Sequence, residues 1–211
     1  MNFTNCLWKS VEKIYRKILE TEYIKGIESG KLDEKCFKHF ICQDIIYLNH
    51  YTYLMKILVQ RAENEDHKNF FLTLAKDSIE AEKELNRTYA NLLGINSTKI
   101  LSPAFQSYID FLTENVCNSD YPVAITSMLP CNWIYSKLGR QLESTMNLNN
   151  KYEALIKSYA SVVYLDFANK FTAIVEELGK NADFEIQNKM KKAFVAACTY
   201  ELDIFVECGN V

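Results

Sequence analysis

The sequence is poor in the residues that interrupt helices. Only 6 glycines and 3 prolines occur in 211 residues, so there are few positions for tight turns or breaks, and long helices joined by short connections are expected. Strand-like alternation is absent over any useful length, which argues against a sheet. Histidine is just as scarce: His39, His50 and His67 are the only ones, none in a Glu-x-x-His pair. That disfavours haem and di-iron centres built on histidine or carboxylate–histidine clusters. The seven cysteines, at 6, 36, 42, 117, 131, 198 and 208, are odd in number and include no C-x-x-C pair. This argues against a disulfide framework and a zinc site, and for reduced thiols in a cytoplasmic protein. Neither charge sign dominates, with 24 basic and 27 acidic side chains and a net charge of -3, so no attraction to nucleic acid or an acidic membrane is expected. No basic segment followed by an apolar one marks a signal peptide, and no run reaches the ~18 apolar residues of a membrane span.

What is abundant is apolar and aromatic. Hydrophobic residues make up 48% of the chain, with 13 Tyr and 12 Phe, enough for a sizeable core. No composition shift, repeat or low-complexity stretch divides the sequence, so residues 1–211 read as one domain. Thr4 can cap a first helix to about Glu20, with Leu7, Val11, Ile14, Tyr15 and Ile18 on one stripe. A short segment from Tyr23 to Ser29 ends at Gly30, and Asp33 reads as the cap of a long helix from Glu34 to Glu63. Asp66 opens a helix expected to reach Leu93 and stop at Gly94. Further helices are expected over 104–118, 122–147, 150–178 and 184–208, with Gly179 and Gly209 as C-terminal stops. The expected fold is an all-α bundle of about seven or eight helices with antiparallel neighbours.

The polar residues that fall on apolar faces are the informative ones. Asp44 is surrounded at helical spacing by Phe40, Ile41, Tyr47, Leu48 and Tyr51. A carboxylate there is costly without a partner; it is either a buried cap or ion pair, or it points into a ligand cavity. Cys131, in Leu129-Pro130-Cys131-Asn132-Trp133, shares a helix face with Tyr135 one turn on. Pro130 either starts a helical turn or kinks a longer helix, and free backbone donors and a positive helix end would then favour the thiolate; the alternative is an inert buried cysteine. Glu201 has Ala197, Cys198, Ile204 and Phe205 as face neighbours, so it points inward, where burial would raise its pKa towards the range of a general acid. The alternative is a solvated glutamate on a terminal helix. Tyr108 and Tyr159 sit on amphipathic helices and read equally as core or rim residues.

At this point the sequence resembles the TenA/thiaminase II family of the haem-oxygenase-like fold, over essentially its whole length. The stretch Phe37-x-x-Phe40-Ile41-x-Gln43-Asp44-x-x-Tyr47-Leu48 is similar to the family's aspartate helix. Leu129-Pro130-Cys131-x-Trp133-x-Tyr135-x-x-x-Gly139 is similar to the cysteine segment of its cysteine-containing branch, and is the most specific match. Tyr159-Ala160-Ser161 and Tyr200-Glu201-x-x-x-Phe205 resemble its later tyrosine and glutamate segments. Two segments depart from the pattern. Thr21-Glu22-Tyr23 stands where the family often has His-Pro-Phe, and Asn86 precedes Arg87-Thr88-Tyr89-Ala90 where a histidine is common.

The resemblance implies an enzyme that hydrolyses aminomethylpyrimidine or thiamin to hydroxymethylpyrimidine in thiamin salvage. By that resemblance Cys131 is the nucleophile, and Glu201, supported by Tyr159, acts on a ring nitrogen. Asp44 holds the exocyclic amino group, while Tyr47, Tyr108 and Tyr135 line the pocket. No metal or organic cofactor is implied, and the assembly expected from the family is a homotetramer. The rival reading is a non-catalytic pyrimidine-binding or regulatory protein of the same fold.

Overall fold

The computed structural model describes residues 2–85, 88 and 100–211, and none of these lies in a strand. Nine helices occur among them: α1 (Phe3–Glu20), α2 (Glu22–Ser29), α3 (Glu34–Arg61), α4 (Glu65–Leu85), α5 (Pro103–Asn118), α6 (Tyr121–Thr145), α7 (Glu153–Ala160), α8 (Val162–Asn181) and α9 (Phe184–Cys208). The expected all-α bundle is present. The expected end of the fourth helix at Leu93, its stop at Gly94 and the departure at Asn86 lie outside the described residues.

α6 and α9 form the middle of the bundle. They pack on each other, α6 also carries α7 and α8, and α9 also carries α1 and α5; α3 pairs with α4 and leans on α5. The amphipathic pattern explains the outer helices. Leu7, Val11 and Ile18 of α1 are fully buried, with Ile14 and Tyr15 half-buried beside them. The central helices bury residues almost all round, polar ones included: Thr126, Ser127, Asn132 and Ser136 on α6 and Glu201 on α9. The hydroxyls return to their own helix, as when Ser127 Oγ donates to Ala124 O at 2.7 Å, so their burial leaves no donor unpaired.

Several helix ends differ from the sequence reading, each for an identifiable reason. Asn2, not Thr4, caps α1, accepting from Asn5 N at 3.1 Å. Thr4 instead gives its N–H and its hydroxyl to Glu176 Oε2 of α8, at 2.7 and 2.9 Å. α4 starts at Glu65 because Asn64 Oδ1 accepts from Asp66 N and His67 N. Gly179 does not end α8. A Cβ there would overlap the Phe3 ring, so the glycine serves close approach to α1. Gly30, by contrast, ends α2 as expected, in the left-handed region at φ 71°, where a Cβ is penalised.

The most consequential difference is the break at Ser161, inside the expected single helix 150–178. Ser161 is extended (φ -60°, ψ 148°) and its side chain accepts from Tyr164 N, capping α8. Serine competes well for such backbone donors, and the two β-branched valines that follow are weak helix formers. In one continuous helix Tyr159 and Tyr164 would point about 140° apart; the break lets both rings face the same interior, 5.7 Å apart and edge-on.

α7 reaches that position because α6 has no side chain at Gly139. A Cβ there would overlap the backbone of Tyr159 and Ala160. Gly139→Ala is therefore expected to push α7 off α6 and lower the melting temperature by roughly 4–10 °C, from an overpacking cost of about 1–3 kcal/mol. Thermal unfolding measures this, and an unchanged midpoint would mean that α7 shifts freely.

Candidate active site

One cavity of about 440 Å³ lies where these helices converge. All seven residues singled out from the sequence border it: Asp44 and Tyr47 from α3, Tyr108 from α5, Cys131 and Tyr135 from α6, Tyr159 from α7, and Glu201 from α9. Local spacing accounts for the pairs. Asp44 and Tyr47 are three apart and Cys131 and Tyr135 four apart, so each pair shares a helix face. Convergence of the five helices is tertiary. The α4 residues Ala81 and Glu84 are exposed and, with Thr88, border its outer side.

Aromatic rings build the wall. Tyr108 is stacked between Tyr47 and Tyr200, each at 5.8 Å with interplanar angles of 14° and 18°. Tyr135 meets Tyr159 edge-on at 5.1 Å. The hydroxyls of Tyr47 and Tyr108 are buried and make no hydrogen bond among the described residues. Buried orphan donors are rare in folded proteins. Those of Tyr47 and Tyr108 belong to residues bordering the cavity, where a polar ligand can meet them; the likewise unpaired hydroxyls of Tyr23 and Tyr121 lie outside its lining.

Burial controls the charge state of the three titratable groups. Glu201 is 1% exposed. Burial pushes its carboxyl up to about 8; Tyr108 and Tyr135 pull it down, while Asp44 adds to the rise. Burial also lifts Asp44 to about 7. Asp44 makes neither a capping bond nor an ion pair among the described residues, and it borders the cavity. The Cys131 thiol is pushed well above its ordinary value by burial and by Glu201; Tyr47 opposes this and Asp44 adds to it. The expected thiolate-favouring helix end is absent. Pro130 lies inside α6 and its missing N–H frees a carbonyl of the preceding turn rather than a donor. At neutral pH the cavity therefore favours a thiol and a protonated Glu201, and Asp44 holds a proton far more readily than an ordinary aspartate.

Two supports were not singled out from the sequence. Tyr164 borders the cavity and donates to the Cys131 carbonyl at 3.4 Å; only the break at Ser161 reveals it. Tyr51, one turn beyond Tyr47, donates to Asn132 Oδ1 at 2.7 Å in the buried interior, steadying the residue next to Cys131. Its spacing from Asp44 and Tyr47 was a usable signal.

Fold and cavity together define an all-α protein with a largely uncharged pocket in which a thiol faces two carboxyl groups. The chain belongs to the TENA/THI-4/PQQC family, whose model matches residues 8–205. Its similarity to an aminopyrimidine aminohydrolase of Staphylococcus aureus is 25% identity over 97% of this chain and 93% of that protein. It is 29% identical, over 96% of its length, to the thiamine biosynthesis multifunctional protein ThiED of Corynebacterium efficiens, but spans only 28% of that protein. A TenA homologue from Pyrococcus furiosus has the same fold, with a TM-score of 0.91 at 16% identity, covering 98% of this chain and 99% of that one. This is the helical fold expected from the sequence.

The two raised carboxyl groups set the direction of a stability test. Both folded values, about 7 and about 8, lie above those of an unfolded chain, so the folded state holds the extra protons. The stability contribution is full below the unfolded values and is lost as pH rises through the folded ones. The melting temperature is expected to fall from about pH 4 to about pH 8 and to level off above it, and Glu201→Gln to flatten that fall and raise the midpoint at pH 9 by several degrees. A slope equal to that of the wild type would mean that Glu201 titrates normally.

Proposed function

We propose that this protein is a cysteine-dependent aminopyrimidine aminohydrolase of the thiaminase II type. The observation that carries the reading is the meeting of Cys131, Asp44 and Glu201 in one cavity, beside the Tyr47 and Tyr108 hydroxyls that make no hydrogen bond among the described residues. The name of the Staphylococcus aureus relative supports the same substrate class. Asp44 accepts hydrogen bonds from the exocyclic amino group, and an analogue without that group leaves the carboxylate unpaired, which discriminates against it. The aromatic wall takes the ring face.

An aminopyrimidine is electron-poor but only a weak electrophile. Glu201, protonated at rest, gives its proton to a ring nitrogen as Cys131 sulfur bonds to the adjacent ring carbon, and it receives the proton that the thiol releases. The addition ends ring aromaticity and leaves an enamine-like electron pair that expels the group on the exocyclic methylene. The leaving group departs as ammonia from the protonated aminomethyl group of an aminomethylpyrimidine, or as the neutral thiazole from thiamin. Water then adds to the methylene carbon and gives up one proton to solvent or to the released ammonia; the ring-nitrogen proton passes back through Glu201 to the departing cysteine sulfur, which restores the aromatic ring of the hydroxymethylpyrimidine. The buried thiol needs no resting negative charge, because sulfur loses its proton only as the ring gains one.

Cys131→Ser is expected to lower kcat by about a thousandfold or more while the dissociation constant for a hydroxymethylpyrimidine product changes less than about threefold. Wild-type kcat is expected to decline as pH rises through about 8, where the acid form of Glu201 is lost. A side-by-side release assay on aminomethylpyrimidine and thiamin measures both. Full turnover by Cys131→Ser would eliminate the covalent step, and turnover of neither compound by the wild type would eliminate the hydrolase.

A further inference from the structure

The start of α5 is not capped by its own sequence. Ser102 occupies the N-cap position, yet its side chain makes no capping bond; its hydroxyl donates to Glu207 Oε1 of α9 instead. Glu207 Oε2 accepts from Ala104 N at 2.9 Å, and His39 Nε2 of α3 lies 3.2 Å from Oε1. A carboxylate from the far end of α9 thus replaces the local cap, with the favourable sign for a helix N-terminus. Gln43, buried beside Asp44, holds the same segment from α3. Its Nε2 donates to Ile100 O at 3.2 Å and its Oε1 accepts from Ser102 N at 2.9 Å.

The partners of this clamp are what give it meaning. α9 carries Glu201 and α3 carries Asp44, the two carboxyl groups of the cavity. α5 carries Phe105 and Tyr108, which form its wall. The clamp therefore fixes the start of α5 to both acid-bearing helices, one turn before Tyr108. Stacking holds the plane of the Tyr108 ring between Tyr47 and Tyr200, but stacked rings slide in plane at little cost. A hydroxyl facing a buried carboxyl is sensitive to such sliding, because electrostatic effects in the interior are steep in distance.

We propose that Glu207, assisted by Gln43, is a positioning residue that sets the Tyr108 hydroxyl against Glu201 by capping α5 from across the fold. The proposal rests on the hydrolase reading for its kinetic consequence but not for its structural one. Partial burial alone would raise the Glu207 carboxyl; the bonds from Ser102, Ala104 and His39 outweigh this and hold it below its ordinary value, so the clamp is closed through the neutral range. Tyr108 is one of the two groups that lower Glu201. Displacing it moves Glu201 upward, in the direction in which burial and Asp44 already push, with Tyr135 left among the described residues as the phenol pulling down.

The test compares Glu207→Gln, Tyr108→Phe, their double variant, and Glu207→Gln combined with Ser102→Asp, which restores a local cap without the tie to α9. Glu207→Gln is expected to move the basic limb of the kcat profile upward, in the same direction as Tyr108→Phe, and to lower kcat roughly tenfold with KM changed less than about twofold. The double variant should be no worse than Tyr108→Phe alone. Ser102→Asp should return the melting temperature of Glu207→Gln but not its kcat or its pH profile. Return of all three would reduce Glu207 to a helix cap and overturn the proposal, as would an unmoved profile in Glu207→Gln. If the wild type turns over no pyrimidine, the hydrolase reading fails while the clamp is still tested. The pH at which the ligand-free protein loses thermal stability should then move upward in Glu207→Gln, and an unmoved value overturns the clamp.

Discussion

The burial of Glu201 is the constraint on which the rest of the site depends. A carboxyl group at 1% exposure in the middle of an apolar bundle cannot stay ionised at low cost without a cation, and no lysine, arginine or histidine borders the cavity among the described residues. The fold meets this by protonation. Asp44 nearby reinforces the outcome, since two carboxylates in one low-dielectric space disfavour each other's charge. The thiol of Cys131, facing the same groups, is held neutral for the same reason.

A neutral thiol beside a protonated acid has a chemical consequence. A thiolate would normally be the stronger nucleophile, and a helix N-terminus the usual way to obtain one. Here Pro130 lies mid-helix, and the surroundings favour the proton on sulfur. In the proposed reaction this suits an electrophile that must itself be protonated before attack: the acid is ready and the nucleophile is released only as the ring is activated. The orphan hydroxyls of Tyr47 and Tyr108 are the cost of a site shaped for a polar guest.

Much of the remaining architecture serves the convergence of these groups. Gly139 lets α7 lie directly on α6, Ser161 redirects the chain so that Tyr159 and Tyr164 face one interior, and the Gln43–Glu207 pair ties α5 to both acid-bearing helices. Their shared effect is to let five helices approach one point without opening the core to water.

The helical class, the apolar stripe of α1, the αL stop at Gly30 and the inward faces of Asp44, Cys131 and Glu201 were legible in the sequence, because each depends on spacing within a turn or two of one helix. The resemblance of the aspartate and cysteine segments to one family then placed the phenols with them. The break at Ser161, the role of Gly179 and the caps at Asn2 and Asn64 were not legible. Serine, glycine and asparagine are compatible with more than one local structure, and distant contacts made the choice, such as Phe3 against Gly179 and Glu176 with Thr4. The charge of the site was decided the same way. Sequence spacing showed which acids face inward, but proton affinity depends on every group facing them, and those groups come from helices up to 157 residues apart, as Asp44 and Glu201 are. The one-dimensional pattern determined the fold class and the cast of side chains; only the tertiary structure decided that the thiol and its acid rest uncharged.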